Sequence, residues 1–296
     1  MTPSTRAWLQ IHFCVVLWGF TAILGKLITL AALPLVWWRM VLVTAALLLV
    51  RSFWQGVRRM PLRLLWTYAG IGVVVALHWL TFYGSIKLSN ASVAATCMAL
   101  TPVFLAFVEP LLVNRKFDAR ELIFGLAVIP GVALVVGGTP SGMHMGMAIG
   151  VLSSFFVAIF GSLNKRFIGT SDALSVTGLE MAAGALFITL FAPLLMPNDP
   201  LFVWPSTHDA WLLVALALGC TLLPFALSLV ALRHLSAFTT VLAINMEPVY
   251  AIVLAIVLFG EQRELGGAFY IGVAIIMLVV FSHPLFTRRR VADGSH

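Results

Sequence analysis

Apolar residues in this chain run in long blocks, and the polar residues are gathered between them. Ten blocks approach the roughly 20 residues that a helix needs to cross a bilayer core: 8–29, 34–50, 64–86, 91–113, 119–137, 145–163, 174–195, 210–231, 238–259 and 265–282. The pattern predicts an all-α integral membrane protein with ten transmembrane helices. Little chain is left over for a soluble domain. The first block follows Arg6 as the apolar core of a secretory leader would, but it is too long and no small-residue cleavage site ends it. It is read as a retained helix.

Composition agrees, with 61% hydrophobic residues, 10% charged residues and a mean hydropathy of +1.05. A soluble globule needs far more polar surface than this. Cys14, Cys97 and Cys220 lie inside apolar blocks at wide spacing, which suits neither a disulfide framework nor a metal site. No metal and no cofactor is expected. The net charge of +7 invites a nucleic-acid reading, but the placement of the basic residues gives a simpler one. With ten spans threaded from a cytoplasmic N-terminus, the inner side receives Arg6, Arg51, Arg58, Arg59, Arg63, Arg115, Lys116, Arg120, Lys165, Arg166, Arg233, Arg288, Arg289 and Arg290. Only Lys87 and Arg263 fall outside, and Lys26 and Arg39 stay within helices. Positive residues accumulate on the cytoplasmic side, so both termini are placed in the cytoplasm and no nucleic-acid partner is expected.

The two halves of the chain repeat one another. Ile86-Lys87-Leu88-Ser89-Asn90-Ala91 is followed, about a dozen residues on, by Thr101-Pro102-Val103-Phe104; Arg233-His234-Leu235-Ser236-Ala237 is followed by Glu247-Pro248-Val249-Tyr250. Further on, the Gly125 stretch matches the Gly272 stretch. Five helices per repeat is an odd number, so the second copy enters the membrane upside down. The expected division is 1–137 for the first repeat, 138–144 for an outer connection, 145–286 for the inverted repeat and 287–296 for a basic tail.

Ten helices as a five-plus-five inverted repeat, a Pro in the fourth and ninth helices, and Phe259-Gly260-Glu261 before the last helix resemble the EamA-type transporters of the drug/metabolite transporter superfamily. The resemblance spans nearly the whole chain. It implies a bacterial inner-membrane exporter of amino acids or other small metabolites, with a central cavity between the halves. The first repeat departs from the pattern in having Asn114-Arg115 where a Gly-Glu pair would stand. The small multidrug exporters of the same superfamily carry a Glu in their first helix. This chain has Trp18 there, so that site does not transfer.

An ionisable group in the hydrocarbon costs several kcal/mol, about 2.5–3.5 on insertion scales, so each one asks for a reason. Glu247 lies near the middle of the ninth block, before Pro248, whose missing N–H frees a carbonyl in the preceding turn. It is read as a proton carrier or as a counter-charge for a substrate ammonium; the plain alternative is a protonated Glu bonded to a neighbouring helix. His78 lies as deep in the third block and shares a face with Thr81, Phe82 and Ser85. It is either a proton relay or a neutral histidine bonded to a carbonyl. Trp79 and Tyr83 occupy the adjacent face, and periodicity does not decide which face lines a cavity. Trp18, Thr101 and Tyr250 complete the candidate substrate-binding set, with Pro102 and Pro248 as paired helix breaks. Arg39 and Glu180 hold equivalent repeat positions at opposite depths. Together with Lys26, which would snorkel outward, and Glu109, which would reach the basic loop after it, they are read as gating or structural charges. Gly146, Gly150, Ser154, Ala158 and Gly161 mark close helix packing.

No Walker-type loop occurs in the chain, so energy must come from an ion gradient or from the substrate gradient. The leading reading is a secondary transporter working by alternating access, coupled to protons or uncoupled, as a monomer or homodimer in contact with lipid. A flippase for lipid or a lipid-linked precursor is the alternative. An integral-membrane enzyme would cluster His, Asp or Glu at a membrane face, and here the seven His are scattered.

Overall fold

The computed structural model describes residues 3–114, 116–117, 119–167, 171–195, 200–232 and 243–293. Arg115, the Arg233–Ala237 turn and the opening of the ninth block lie outside them. Among the described residues all regular structure is helical: α1 (Pro3–Leu27), α2 (Ala32–Leu48), α3 (Arg51–Arg59), α4 (Leu62–Leu88), α5 (Ala91–Met98), α6 (Thr101–Val113), α7 (Ala119–Gly138), α8 (His144–Phe167), α9 (Ala173–Leu195), α10 (Thr207–Val214), α11 (Leu223–Leu232), α12 (Glu247–Phe259) and α13 (Gly267–Asp293). A π-helical stretch, Ala215–Leu222, joins α10 to α11.

Six helical stretches are long and apolar enough to cross a bilayer, and α2 with α3 makes a seventh if the bent pair counts as one. Shorter apolar helices occupy Gly125–Gly138, Glu247–Phe259 and Gly267–Ser282. Leu111, Leu194, Val257 and Leu278 are 79%, 77%, 72% and 71% exposed. Exposed apolar side chains of this size, spread over four helices, call for lipid as their solvent.

The segment after the second block, whose arginines the sequence places on the inner side, is a helix. α3 leaves α2 at 91° because its residues cannot enter hydrocarbon: Arg51, Arg58 and Arg59 are exposed, while Phe53 is buried on the opposite side. Such an amphipathic segment lies along an interface. Phe53 packs over Gly178 of α9, and the Ser175 hydroxyl donates to the Phe53 carbonyl at 3.2 Å.

The most regular internal correspondence lies in two 13-residue helices, α6 and α12. Each begins with an X-Pro step after a short break, Ala99-Leu100 in one and Asn245-Met246 in the other. The Leu100 N–H donates to the Cys97 carbonyl and the Met246 N–H to the Ala243 carbonyl, both at 3.0 Å. Each helix then ends on a left-handed residue, Asn114 at φ 54° and Gly260 at φ 68°. Asn tolerates that conformation better than other side-chain-bearing residues, so the Asn114 departure noted in the sequence preserves the helix stop.

Close packing relies on small residues where helix backbones touch. A methyl on Gly150 would lie 2.7 Å from Ser85 Oγ and 2.9 Å from Cys97 Sγ. Gly146 abuts Ser89, and Ser154 and Ala158 are buried, whereas Gly161 has nothing within 4 Å and plays no such part. Between α7 and α13 the contact is reciprocal: a methyl on Gly131 would come within 2.9 Å of the Gly272 carbonyl oxygen, and one on Gly272 within 2.5 Å of the Gly131 carbonyl oxygen. The two helices run antiparallel, since Gly131 also meets Ile275 and Ile276 while Gly138 meets Phe269; the contact therefore joins Gly272 to a residue other than Gly125, its match in the sequence. Replacing Gly272 by Val is expected to cost about 1–3 kcal/mol through overpacking, whereas Gly161→Ala leaves stability unchanged; thermal melting of the detergent-solubilised variants checks both.

Candidate substrate site

The two helix breaks determine where a site can form. In hydrocarbon every backbone polar group needs a partner, so a break is tolerated only where it is buried in protein or faces a cavity. Pro102 and Pro248 cannot donate to the carbonyls four residues earlier, on Met98 and Ile244. Met98 lines a narrow crevice with Trp18, Thr21 and Ala22 of α1, Phe82 of α4, Ala95 of α5, and Glu247, Pro248 and Ala251 of α12. The cavity among them is about 10 Å³, room for no more than one water. α1 reaches α12 because Gly19 has no side chain: a methyl there would stand 3.2 Å from Tyr250 Cβ and from the Ala251 nitrogen.

Glu247 is the first residue of α12, where the positive end of the helix dipole favours an anion. The buried cation near the crevice is Arg39 of α2, which does not itself line it. That residue is 4% exposed, and its guanidinium carbon stands 3.7 Å from the centre of the Trp79 ring. Its Nη1 donates to the Tyr83 hydroxyl at 2.7 Å, and its Nε and Nη2 donate to Thr221 Oγ1 at 3.0 and 2.8 Å. Thr221 is free to accept because its own hydroxyl hydrogen goes to the Leu216 carbonyl, five residues back along the π-helix. Among the described residues no carboxylate forms a salt bridge with Arg39. Arg39 is therefore a buried cation stacked on an aromatic ring and held by neutral acceptors, and Glu247 is the one acidic residue that lines the crevice.

The predicted residues separate accordingly. Trp18, Phe82 and Glu247 line the crevice, and Trp79 and Tyr83 hold Arg39. Thr101 starts α6 and does not line the crevice. Tyr250 packs with Trp18 and Met246 beside Ile11 and Val15, and its hydroxyl is 3.2 Å from Nδ1 of His12, a residue that the sequence reading passed over. His78 faces α8: Ser153 Oγ donates to the His78 carbonyl at 2.9 Å and accepts from Nδ1 at 2.8 Å. Ser153 has one hydroxyl hydrogen, so Nδ1 carries the ring proton. The His78 ring also packs against Phe160 and Phe82.

Two structural charges gain partners that the sequence did not name. Lys26 pairs with Glu261 at 2.7 Å. Glu109 pairs with Lys165 of α8. Glu261 is fully buried and caps α5: its Oε1 and Oε2 accept from the N–H groups of Ala91 and Ser92 at 3.1 and 2.8 Å. Asn90 caps the same helix through Val93 N–H at 3.0 Å and donates to Glu264 at 2.9 Å. Asp209 accepts from Thr29 N–H and hydroxyl at 2.9 and 2.5 Å, and Lys87 donates to the Ile28 carbonyl. The start of α5, the end of α1 and the start of α10 are thereby tied at one end of the bundle.

The sequence model of the EamA-like transporter family matches residues 6–137 and 144–282. The chain belongs to the EamA-like transporter family. It is a multi-pass membrane protein. A Bacillus subtilis (strain 168) protein described as the uncharacterized transporter YyaM is 22% identical, with 83% of this chain and 86% of that protein covered. A solved crystal structure shares the fold at a TM-score of 0.64 and 18% identity, covering 96% of this chain and 98% of the other.

Removing the Glu261 carboxylate leaves Lys26 and two helix N–H groups without their acceptor. Glu261→Ala is expected to lose about 3–5 kcal/mol, read as a drop in melting temperature in lipid nanodiscs, with Glu264→Ala losing less.

Proposed function

We propose that this EamA-family transporter is a secondary exporter of amino acids or similar small zwitterions, working by alternating access. The observation that carries the reading is the buried guanidinium of Arg39, without a salt-bridged carboxylate among the described residues, near a crevice lined by one acid, Glu247 at the start of α12. A zwitterion would set its carboxylate towards Arg39 and its ammonium towards Glu247, with Trp18 and Phe82 as aromatic walls for the cation. The crevice is narrow, which suits a closed conformation that must open to load.

In this reading the chain forms ten spans as two inverted five-helix repeats, 1–137 and 145–286, joined by 138–144. Both termini are cytoplasmic, the basic tail from 287 lies inside, and the membrane is the bacterial inner membrane. The matching breaks before Thr101 and Glu247, the matching stops at Asn114 and Gly260, and the two separately matched stretches of the family model support the repeat. The bias of Arg and Lys to one set of loops supports the orientation. Glu247 is the proton-coupling residue of this scheme. His78, bonded to Ser153, serves α4–α8 packing.

Counterflow of radiolabelled amino acids in proteoliposomes tests the reading, with and without a pH gradient. Glu247→Gln is expected to abolish gradient-driven accumulation while keeping exchange. Arg39→Lys, which keeps the charge but loses the fork that spans Tyr83 and Thr221, is expected to raise KM about tenfold, equivalent to about 1.4 kcal/mol. A methyl-ester substrate should be indifferent to Arg39→Lys. Transport blind to both substitutions rejects the site. Absence of amino-acid transport together with movement of a fluorescent lipid between leaflets would favour a flippase.

A further inference from the structure

α3 has three different faces. Phe53 is buried in the bundle, and Arg51, Trp54 and Arg58 are exposed. Ser52, Gln55, Gly56 and Arg59 recur at i, i+3, i+4 and i+7 and so share a third face, which lines a cavity of about 330 Å³. That volume falls within the range of small-molecule sites, about 300–1,000 Å³. Pro61, at the head of α4, and Ser171 and Asp172, just before α9, line it from the other sides. Gly56 sets the approach of the two helices: a methyl there would overlap the Ser175 hydroxyl and stand 3.5 Å from Asp172 Cβ. Farther along α9, Glu180 is buried where the helix meets α4 backbone to backbone, since a methyl on Gly72 would lie 2.8 Å from its Cα. α9 is thus fixed against both α3 and α4.

The cavity holds one charge of each sign, and the two do not satisfy each other. Arg59 and Asp172 both line it, yet among the described residues neither forms a salt bridge. Asp172 Oδ2 accepts from the Ser175 N–H at 3.2 Å. Asp172 Oδ1 and the Arg59 guanidinium have no hydrogen-bond partner among the described residues. A ligand that suits both carries an anionic end for the arginine fork, which matches phosphate, and a cationic end with N–H groups for Oδ1. A plain anion would bring its charge against Asp172, and a quaternary ammonium has no hydrogen to donate.

The surroundings of the cavity point to a lipid. α3 lies along the interface, where arginines and tryptophans meet headgroups. From Pro61 an apolar strip runs into the span of α4: Leu62 and Trp66 are 68% and 72% exposed, and Gly70 is exposed with nothing within 4 Å of an added methyl. Their spacing of four keeps them on one side of the helix. We propose that the cavity binds the headgroup of an aminophospholipid, its phosphate on Arg59 and its primary ammonium on Asp172, with the acyl chains along Leu62, Trp66 and Gly70. The bound headgroup bridges α3 to the start of α9. The site is separate from the crevice and does not depend on the substrate assigned there.

Native mass spectrometry of the full-length protein, delipidated in detergent and titrated with single lipids, reads the site without a transport assay. Phosphatidylethanolamine is expected to bind about tenfold more tightly than phosphatidylglycerol or phosphatidylcholine, the gain from a charge-assisted hydrogen bond. Arg59→Gln should weaken phosphatidylethanolamine binding by a similar factor. Asp172→Asn, which can still cap α9, should abolish the preference while phosphatidylglycerol binding persists. Arg58→Gln, on the other face of α3, should change neither. In proteoliposomes, phosphatidylethanolamine with a diazirine in its acyl chain should label the peptide that contains Trp66 and Gly70. Equal binding of the three lipids, a preference that survives Asp172→Asn, or labelling spread evenly over the helices overturns the proposal. Displacement of the lipid by an equal concentration of soluble phosphoethanolamine overturns it too, since the acyl chains would then contribute nothing.

Discussion

Lipid offers no hydrogen bonds, and that constraint determines nearly every feature of this molecule. Continuous helices satisfy their own backbone, so the chain departs from them in very few places, and each departure is held by protein. The breaks before Thr101 and Glu247 sit beside one another's half of the bundle, where Met98 and Glu247 share a crevice. The π-helical turn at Ala215–Leu222 is the third departure. It presents Thr221 with its hydroxyl hydrogen already spent on Leu216, leaving lone pairs for Arg39. π-Turns recur at functional sites for this kind of reason: the extra residue points a side chain where an ordinary helix would not.

Glu261, Asp209 and Asn90 show the same constraint acting on helix ends. In the structure Glu261 and Asp209 accept from backbone N–H groups that would otherwise be stranded, and Asn90 does so for its own helix. The Gly260-Glu261 pair therefore performs two linked tasks, ending α12 in a left-handed turn and delivering a carboxylate to the start of α5. In α6 Asn114 performs the first of these, while the residue that follows it in the sequence, Arg115, carries no carboxylate.

Much of the fold could be read in the sequence because hydrophobic blocks are a one-dimensional signal. Among the described residues the apolar blocks fall on helices, six or seven of them long enough to cross a bilayer, the X-Pro steps open α6 and α12, and Gly146, Gly150, Ser154 and Ala158 of α8 are buried as the pattern requires. What the pattern could not supply was direction around a helix axis. His78, Trp79, Phe82 and Tyr83 are close together on α4, yet one serves α8, two hold Arg39 and one lines the crevice. Each outcome depends on which neighbour lies alongside. Nor could periodicity reveal Thr221, because its role arises from a helix of different pitch, or α3, whose Arg content reads equally well as a loop. Lys26 and Glu109 were recognised as charges needing explanation, but their partners, Glu261 and Lys165, are 235 and 56 residues away.

The reciprocal contact of Gly131 with Gly272 has an evolutionary corollary. Each glycine meets the carbonyl oxygen of the other, so a side chain gained at either position strikes the backbone of the other helix. Relief can come only from separating α7 and α13. Substitutions at 131 and 272 should therefore be correlated across relatives although 141 residues separate them, and a gene fusion that recombines halves from two relatives would have to match at this pair before anything else.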